Sequence, residues 1–336
     1  MASLEEAQGF DLIGDVHGCA LTLRLLLERL GYRDIDEGAR HPTRHAIFVG
    51  DIIDRGPRIP EALRLVKAMV DAGHGTLLMG NHEYNALCYC TAVKNVHTNE
   101  VTFLREHNPR HLRLIAETLD QYQAYPDEWE QMLEWFLTLP LFLELEQFRV
   151  VHACWDPRLI DDYLQHYGCN QLDDARLVES VDKSTLPGRV MDRLTRGLDI
   201  RLPDGLQVTS RDGFVRHFFR AHFWGDNPQT YNDVVFQPDP LPEPIAHRQM
   251  SEEEKARLFH YGAEQKPLFI GHYWRSGIPR TLTPNIACLD YSAVKYGKLV
   301  AYRMDGEQQL CDSKFVWVEV DPQEPGLPER ESDADD

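Results

Sequence analysis

No apolar run in the sequence approaches the roughly 20 residues that a membrane-spanning helix needs, so helical passage through a bilayer is not expected. Paired cysteines are also missing. The seven present, Cys19, Cys88, Cys90, Cys154, Cys169, Cys288 and Cys311, are odd in number and scattered, and Cys88-Tyr89-Cys90 is not a zinc-knuckle spacing. They read as reduced, mostly buried thiols. Positive charge is short: 35 Lys and Arg stand against 54 Asp and Glu, for a formal charge of −19. Such a chain repels a phosphate backbone, so extended binding to nucleic acid is excluded as an expectation. Met1 to Gln8 carries neither a basic segment nor an apolar one of the signal-peptide kind, and a cytoplasmic location is expected. No internal repeat is visible.

What is present is ordinary for a globular protein: 43% hydrophobic and 26% charged residues in 336, enough for one large domain or a domain carrying an insertion. The fifteen histidines are more than usual and direct attention to possible ligand sets. Phe10-Asp11-Leu12-Ile13 reads as a strand, and Leu21 to Leu30 as an amphipathic helix closed by Gly31. Ala46 to Val49 gives a second strand. Pro60 then opens a helix over Glu61 to Asp71, and Thr76 to Met79 gives a third strand. Strand, loop and helix alternating in this way argue for parallel strands in an α/β architecture.

Tyr84 to Leu139 reads as helical, with His97, His107 and His111 as surface side chains; Leu141 to Leu145 and Arg149 to Val151 read as a hairpin. Residues 156–266 form a cap-like insertion that includes an arginine-rich stretch, Arg211 to Arg220, and a proline-rich connector, Gln237 to Pro244. Pro267 to Ile270 is a further strand. Three more are expected over Ile286 to Leu289, Lys298 to Arg303 and Phe315 to Val320. The expected organisation is therefore a single domain over 1–320 with that insertion, followed by an acidic disordered tail, 321–336.

Chemistry concentrates where these strands end. Gly50-Asp51-Ile52-Ile53-Asp54-Arg55-Gly56 places two carboxylates, a guanidinium and two glycines directly after a buried strand. A carboxylate suits a divalent cation, an arginine fork suits a phosphate, and glycine lets the backbone turn close to a ligand. Four other strands end alike, giving Asp15 and His17, Asn81, His152, and His272. Strand C-termini are where open α/β sheets bind ligands. The mixed nitrogen and oxygen set, without thiolate, suits manganese, iron or zinc better than calcium. Six candidates exceed one tetrahedral site and fit two metals sharing a carboxylate, about 3.5–4 Å apart, with a bridging hydroxide attacking phosphorus. His82 is left over beside Asn81 to protonate the leaving group, with Asp54 to hold its imidazole protonated and Arg55 to grip phosphate oxygens.

Gly14-Asp15-Val16-His17-Gly18, Gly50 to Gly56, Gly80-Asn81-His82-Glu83, Val151-His152-Ala153 and Gly271-His272, in that order, resemble the signature blocks of the phosphoprotein phosphatase branch of calcineurin-like metallophosphoesterases. The resemblance covers roughly residues 10 to 155 and 266 to 305. It implies a four-layer fold, a central β-sandwich flanked by helices. It also implies Asp15 and His17 on one metal, Asp51 bridging, and Asn81, His152 and His272 on the second. His82 is then the general acid, paired to Asp54, with Arg55 on the phosphate.

Leu12 to Cys19, Val151 to Ala153 and Gly271 to Trp274 are similar to bacterial symmetrical diadenosine tetraphosphate hydrolases, whereas Asp54 and Glu83 lean toward serine/threonine protein phosphatases. Trp274 replaces the further histidine of the superfamily's nucleases. A second phosphate-binding arginine has three candidates, Arg216, Arg220 and Arg275, and His222 is an alternative to His272. The leading expectation is a two-metal phosphomonoesterase of the protein serine/threonine phosphatase kind, with manganese as the first choice of metal. A dinucleoside polyphosphate hydrolase is the runner-up, and a catalytically silent phosphate-binding protein is the alternative of another class. No membrane partner is expected.

Overall fold

A computed structural model describes residues 4, 6–94, 100–209, 215–225, 227–236, 241, 243–256, 258–321, 323 and 324. The chain enters through β1 (Gly9–Ile13), α1 (Ala20–Leu30), β2 (Arg44–Phe48), α2 (Ile59–Asp71) and β3 (Gly75–Leu77). The three strands pair in parallel, with Leu12 opposite Ile47 and Ile13 opposite Phe48. α3 (Asn81–Cys90) leads into a short ribbon, β4 (Ala92–Lys94) and β5 (Val101–Phe103), then α4 (Pro109–Tyr122) and α5 (Pro126–Leu137). The ribbon corrects the helical reading of this segment. Its strands are three residues each, too short for the Val101-Thr102-Phe103 alternation to stand out. Of the three histidines placed on the surface here, His107 and His111 lie in the described segment, and His97 lies outside the described residues.

β6 (Phe142–Glu144) and β7 (Arg149–Val151) form the expected hairpin. Next come α6 (Pro157–Tyr167), α7 (Asp174–Ser180) and α8 (Leu186–Arg196). They are followed by β8 (Leu198–Arg201), β9 (Val208–Thr209), β10 (Val215–Arg216), β11 (Phe218–Ala221), β12 (Val235–Phe236), α9 (Glu243–Ala246) and α10 (Glu252–Ala256). β8, β11 and β12 make a small antiparallel sheet with its own apolar cluster, including Leu198, Phe219, Tyr231 and Ile245. Much of the arginine-rich stretch and of the proline-rich connector lies outside the described residues.

β13 (Leu268–Ile270), β14 (Ile286–Cys288), β15 (Asp290–Tyr291), β16 (Lys298–Met304) and β17 (Phe315–Glu319) complete the chain. One sheet runs β15-β16-β1-β2-β3 with β17 also on β16; the other runs β14-β13-β7-β6. Alternating side chains divide the core. Leu12, Ile47, Val49 and Leu78 of the first sheet meet Phe148, Val150, Phe269 and Ala287 of the second in one buried cluster. The residues between them in sequence, Ile13, Phe48, Val151 and Ile270, cluster instead with helix side chains such as Leu23, Leu26, Leu63, Tyr163 and Leu194. That is a β-sandwich with helices on its outer faces. Its layering places the C-terminal ends of β1, β2, β3, β7 and β13 at one rim.

The expected acidic tail is described only at its start. There the Glu324 carboxylate, buried, accepts from the Leu21 and Thr22 N–H groups at 3.3 and 3.0 Å and from the Thr22 hydroxyl at 2.8 Å. It caps the first turn of α1 from the far end of the chain, where Cys19 offers no side-chain cap. Residues 325–336 lie outside the described residues. Glu324→Ala leaves those donors without their acceptor and is expected to destabilise the protein by about 1–2 kcal/mol. Urea unfolding checks this through a lowered midpoint at unchanged slope; an unchanged midpoint contradicts the capping role.

Candidate active site

The ends of β1, β2 and β13 deliver their polar residues through turns that an ordinary side chain resists. His17, Asp51, Asp54, Arg55 and His272 all have left-handed backbones, with φ of 45°, 55°, 68°, 68° and 61°. Strain gathered this way persists only where neighbours hold it in place. Gly50, at φ 115°, could not be another residue: a Cβ there would lie 2.7 Å from the Gly80 Cα.

The hold comes chiefly from Glu83, in the first turn of α3. Its fully buried carboxylate accepts from the N–H groups of Asp51 (2.9 Å), Ile52 (2.8 Å), Ile53 (3.4 Å) and Gly80 (3.2 Å). Burial and the nearby Asp51 carboxylate push its pKa up to about 7, against the pull of those donors. The Asp51 carbonyl in turn accepts from Val16 and His17 N–H at 3.1 and 3.0 Å, joining the first loop to the second.

The Asp51 side chain stands at the centre. Its Oδ1 accepts from the His82 N–H at 2.9 Å. Its Oδ2 lies 3.9 Å from His17 Nε2, 3.9 Å from His82 Nε2 and 3.3 Å from His152 Nε2. Two donor groups result, His17–Asp51–His82 and Asp51–His152–His272, each with its ligand atoms within 4.8 Å of one another. Asn81 joins the second, its Oδ1 3.1 Å from His152 Nε2. Asp15 belongs to neither group at that distance; its Oδ2 accepts from the His272 N–H at 3.2 Å. All six residues named as metal ligands from the sequence therefore meet at one place. Burial alone would raise the Asp51 pKa, but His152, His82 and His17 hold it well below the usual carboxylate range. Burial opposes a charge on His152, yet Asp51 and Asp15 carry it up to about 9.

These residues fit divalent cations on three observations. His17 and His152 each spend Nδ1 on a backbone carbonyl, Ile53 at 2.8 Å and Val49 at 2.9 Å, which turns Nε2 inward as metal-bound imidazoles require. Asp15 Oδ1 and His272 Nε2 are buried with no hydrogen-bond partner, a cost that a cation would remove. Burial also drives the His17 and His272 rings well below their ordinary pKa, keeping them neutral as ligands must be.

Beside Asp51, His82 Nδ1 meets Asp54 Oδ2 at 2.5 Å. The Thr118 hydroxyl of α4 hydrogen-bonds the other Asp54 oxygen, and the Asp54 N–H donates back to Thr118 Oγ1 at 3.1 Å. Burial pushes the Asp54 carboxyl up to about 7 and the His82 imidazole down to about 3. Asp54 sits on the imidazole as expected, while burial is the largest influence on the His82 charge and the Asp51 carboxylate opposes it. Arg55 is exposed at the rim, with Nη1 3.2 Å from His17 Nε2.

A cleft of about 950 Å³ opens over these groups. Its cationic lining is Arg55, Arg110, Arg113, Arg220 and Lys295, and its aromatic lining is Phe218, Phe236 and Trp274. Among the three arginine candidates, Arg220 lines the cleft, with Nη1 3.5 Å from the His272 carbonyl. Arg275 is not part of the lining, and the Arg216 side chain lies outside the described residues. His222 stacks on Trp224 at 5.1 Å and enters neither donor group, so it does not substitute for His272.

Sequence reasoning missed Asp290, a buried third carboxylate that raises the Asp15 pKa further after burial itself. The signal was there, since Asp290 follows Cys288-Leu289 at a strand end like the others. Thr118 and the pair Arg110 and Arg113 sit on a helix, where nothing local marks them as facing a site.

A family model described as calcineurin-like phosphoesterase matches residues 10–260. The chain is 24% identical over 310 residues to a symmetrical bis(5'-nucleosyl)-tetraphosphatase of Pasteurella multocida, covering 88% of this chain and 94% of that one. It is 46% identical over 74 residues to the asymmetrical bis(5'-nucleosyl)-tetraphosphatase PrpE of Halalkalibacterium halodurans, 22% of this chain. The chain spans 30% of that relative's length. A solved cold-active protein tyrosine phosphatase superposes with a TM-score of 0.50 at 17% identity, covering 93% of this chain and 78% of that one, a likeness of fold.

Because Glu83 alone ties four N–H groups of two loops, Glu83→Ala is expected to cost at least about 2 kcal/mol. It should also lower the metal retained after gel filtration, as read by elemental analysis. A variant with unchanged stability and unchanged metal content refutes this role.

Proposed function

The chain belongs to the calcineurin-like phosphoesterase family, and from that premise we propose that it is a metal-dependent phosphoester hydrolase working at the Asp51 centre. The observation that carries this reading is the sharing of Asp51 between two nitrogen and oxygen donor groups. Asp15, His17, Asp51, Asn81, His152 and His272 would hold two divalent cations, manganese being the first choice and iron or zinc alternatives. Bound there, such cations supply Lewis acidity toward phosphoryl oxygens and a hydrolytic nucleophile at neutral pH.

The protein's own residues do the rest. Arg55 presents its guanidinium to phosphate oxygens at the cleft, and Arg220 serves as the second cationic contact. His82 donates the proton that the leaving oxygen needs. An anionic phosphate arriving beside the ring favours its protonated form, offsetting the burial that disfavours it in the unliganded protein. Asp54, fixed by Thr118, holds Nδ1 and leaves Nε2 facing Asp51, 3.9 Å from its Oδ2.

For the substrate, the walls of the cleft favour a small nucleoside polyphosphate. A volume of about 950 Å³ suits a small ligand, several cations suit a run of phosphates, and Trp274 and Phe218, exposed at 39% and 52%, offer faces on which a base stacks. The names of the relatives, which refer to bis(5'-nucleosyl) tetraphosphates, support the same class. This reverses the order in which the sequence alone ranked the substrates. A phosphoserine or phosphothreonine protein is the second reading, favoured by the Asp54–His82 pair. A catalytically silent binding protein is disfavoured, since ligand candidates, acid and arginine are all in place.

With manganese, the protein is expected to release p-nitrophenol from its phosphate ester with two metals bound per chain. Asp51→Asn and His82→Asn should each lower turnover by at least about tenfold; full activity in both, or full activity with a single metal, overturns the mechanism. A competition between diadenosine tetraphosphate and a phosphopeptide, compared by kcat/KM, decides the substrate class. Trp274→Ala should raise KM for the dinucleotide by about tenfold while sparing p-nitrophenyl phosphate. Preference for the phosphopeptide, with no effect of Trp274→Ala, rejects the nucleotide.

A further inference from the structure

A second cavity, of about 260 Å³, lies between α3, α4 and the pair α7 and α8, and shares no lining residue with the catalytic cleft. α4 divides the two: Arg110 and Arg113 line the cleft, whereas His111 lines the cavity. The other polar side chains lining it are Arg105, Lys183, Arg196, Tyr84, Ser180 and Asp192. Three permanent cations thus face one carboxylate, in a chain whose formal charge is −19.

That carboxylate does not neutralise the cavity. Asp192 pairs with Lys183 at 2.7 Å and stands 3.9 Å from Arg196. Arg196 gives Nη2 to the Asn85 side-chain oxygen at 2.8 Å, a neutral acceptor. Among the described residues no carboxylate pairs with Arg105, whose backbone N–H is tied to the Cys88 carbonyl at 2.9 Å. Burial and the neighbouring Arg196 guanidinium hold Arg105 below its ordinary pKa. Arg105 and Arg196, both half-buried, line one cavity, with the neutral Cys88 thiol and Asn85 amide as partners rather than a paired carboxylate on Arg105 among the described residues. This makes a binding arrangement for a tetrahedral oxyanion, which offers bidentate contact to both.

We propose that this cavity is a second anion site that takes a free phosphate-class oxyanion, with Arg105 and Arg196 as its principal contacts and Lys183 at its mouth. Its volume is below that of pockets for drug-sized ligands, so inorganic phosphate or sulfate fits and a nucleotide does not. The site touches catalysis by position, since Tyr84 and Asn85 directly follow Asn81-His82-Glu83 on α3. The inference does not depend on the reaction proposed above.

Calorimetric titration of the manganese-loaded full-length protein with inorganic phosphate tests it. The Asp51→Asn protein, impaired at the catalytic centre, is expected to retain one phosphate-binding event per chain, which sulfate displaces and adenosine monophosphate does not. Adding Arg105→Gln should weaken that event by about tenfold or more. Lys183→Gln, at a side chain 64% exposed and so safe for folding, should weaken it severalfold. The proposal is overturned if Asp51→Asn binds no phosphate at millimolar concentration. It is equally overturned if the event survives Lys183→Gln and a folded Arg105→Gln unchanged, or if adenosine monophosphate displaces it as well as sulfate does.

Discussion

Every part of the site is referred to one carboxylate. Asp51 engages its neighbours through four separate groups: its carbonyl takes Val16 and His17 N–H, its N–H goes to Glu83, Oδ1 takes the His82 N–H, and Oδ2 faces three imidazoles. An anion buried among histidines is stable only when compensated. Here the compensation is distributed across both sheets, since His17 follows β1 and His152 follows β7. The sandwich is therefore not a passive support. Bringing Asp51 and His152 together requires the two sheets to stack in one register along their strands, and the cluster of Leu12, Val49, Val150 and Phe269 between them sets that stacking.

Strain and charge hold each other in place at this rim. Five non-glycine residues with left-handed backbones are affordable because the two loops carrying four of them are laced to Glu83 and to one another by hydrogen bonds. Glu83 in turn is a buried carboxylate whose charge is favoured only by those N–H donors. Neither is stable alone. The arrangement fixes the candidate ligand atoms in place, so little side-chain freedom would be lost if a cation bound there.

The strand-end residues were legible in the sequence because the signal is local: an apolar run followed at once by a polar ligand type. The same locality explains the parallel order of β1, β2 and β3 and the Gly31 cap of α1, whose φ of 92° no β-carbon residue adopts readily. What escaped detection depends on distance in the chain. Thr118 reaches Asp54 across 64 residues, and Glu324 reaches Thr22 across 302. That Arg220 and not Arg275 lines the cleft depends on how β11 and the loop after β13 fold against it. The exposed ribbon β4–β5 escaped because each of its strands is only three residues long. Asp290 is a different case: it directly follows the apolar run Ile286 to Leu289, so the rule that found Asp15, Asp51 and Asn81 applies to it equally.

The acidity of the whole chain and the cationic character of its two cavities are best seen together. At ordinary ionic strength, fields from exposed carboxylates fall off within about 8–10 Å, so an anion that reaches the cleft meets Arg55, Arg110, Arg113, Arg220 and Lys295 rather than the net charge. The repulsion acts earlier, on large polyanions that must approach over a wide surface, and much less on small ones that enter a cleft. A net charge of −19 thus discriminates by size as well as by sign. It weighs against long polyanions more than short ones, and it places the recognition of an anion on the few guanidiniums that line the walls. On the nucleotide proposal, the aromatic faces of Trp274 and Phe218 would separate a nucleoside from a bare phosphate by contacts that charge cannot supply.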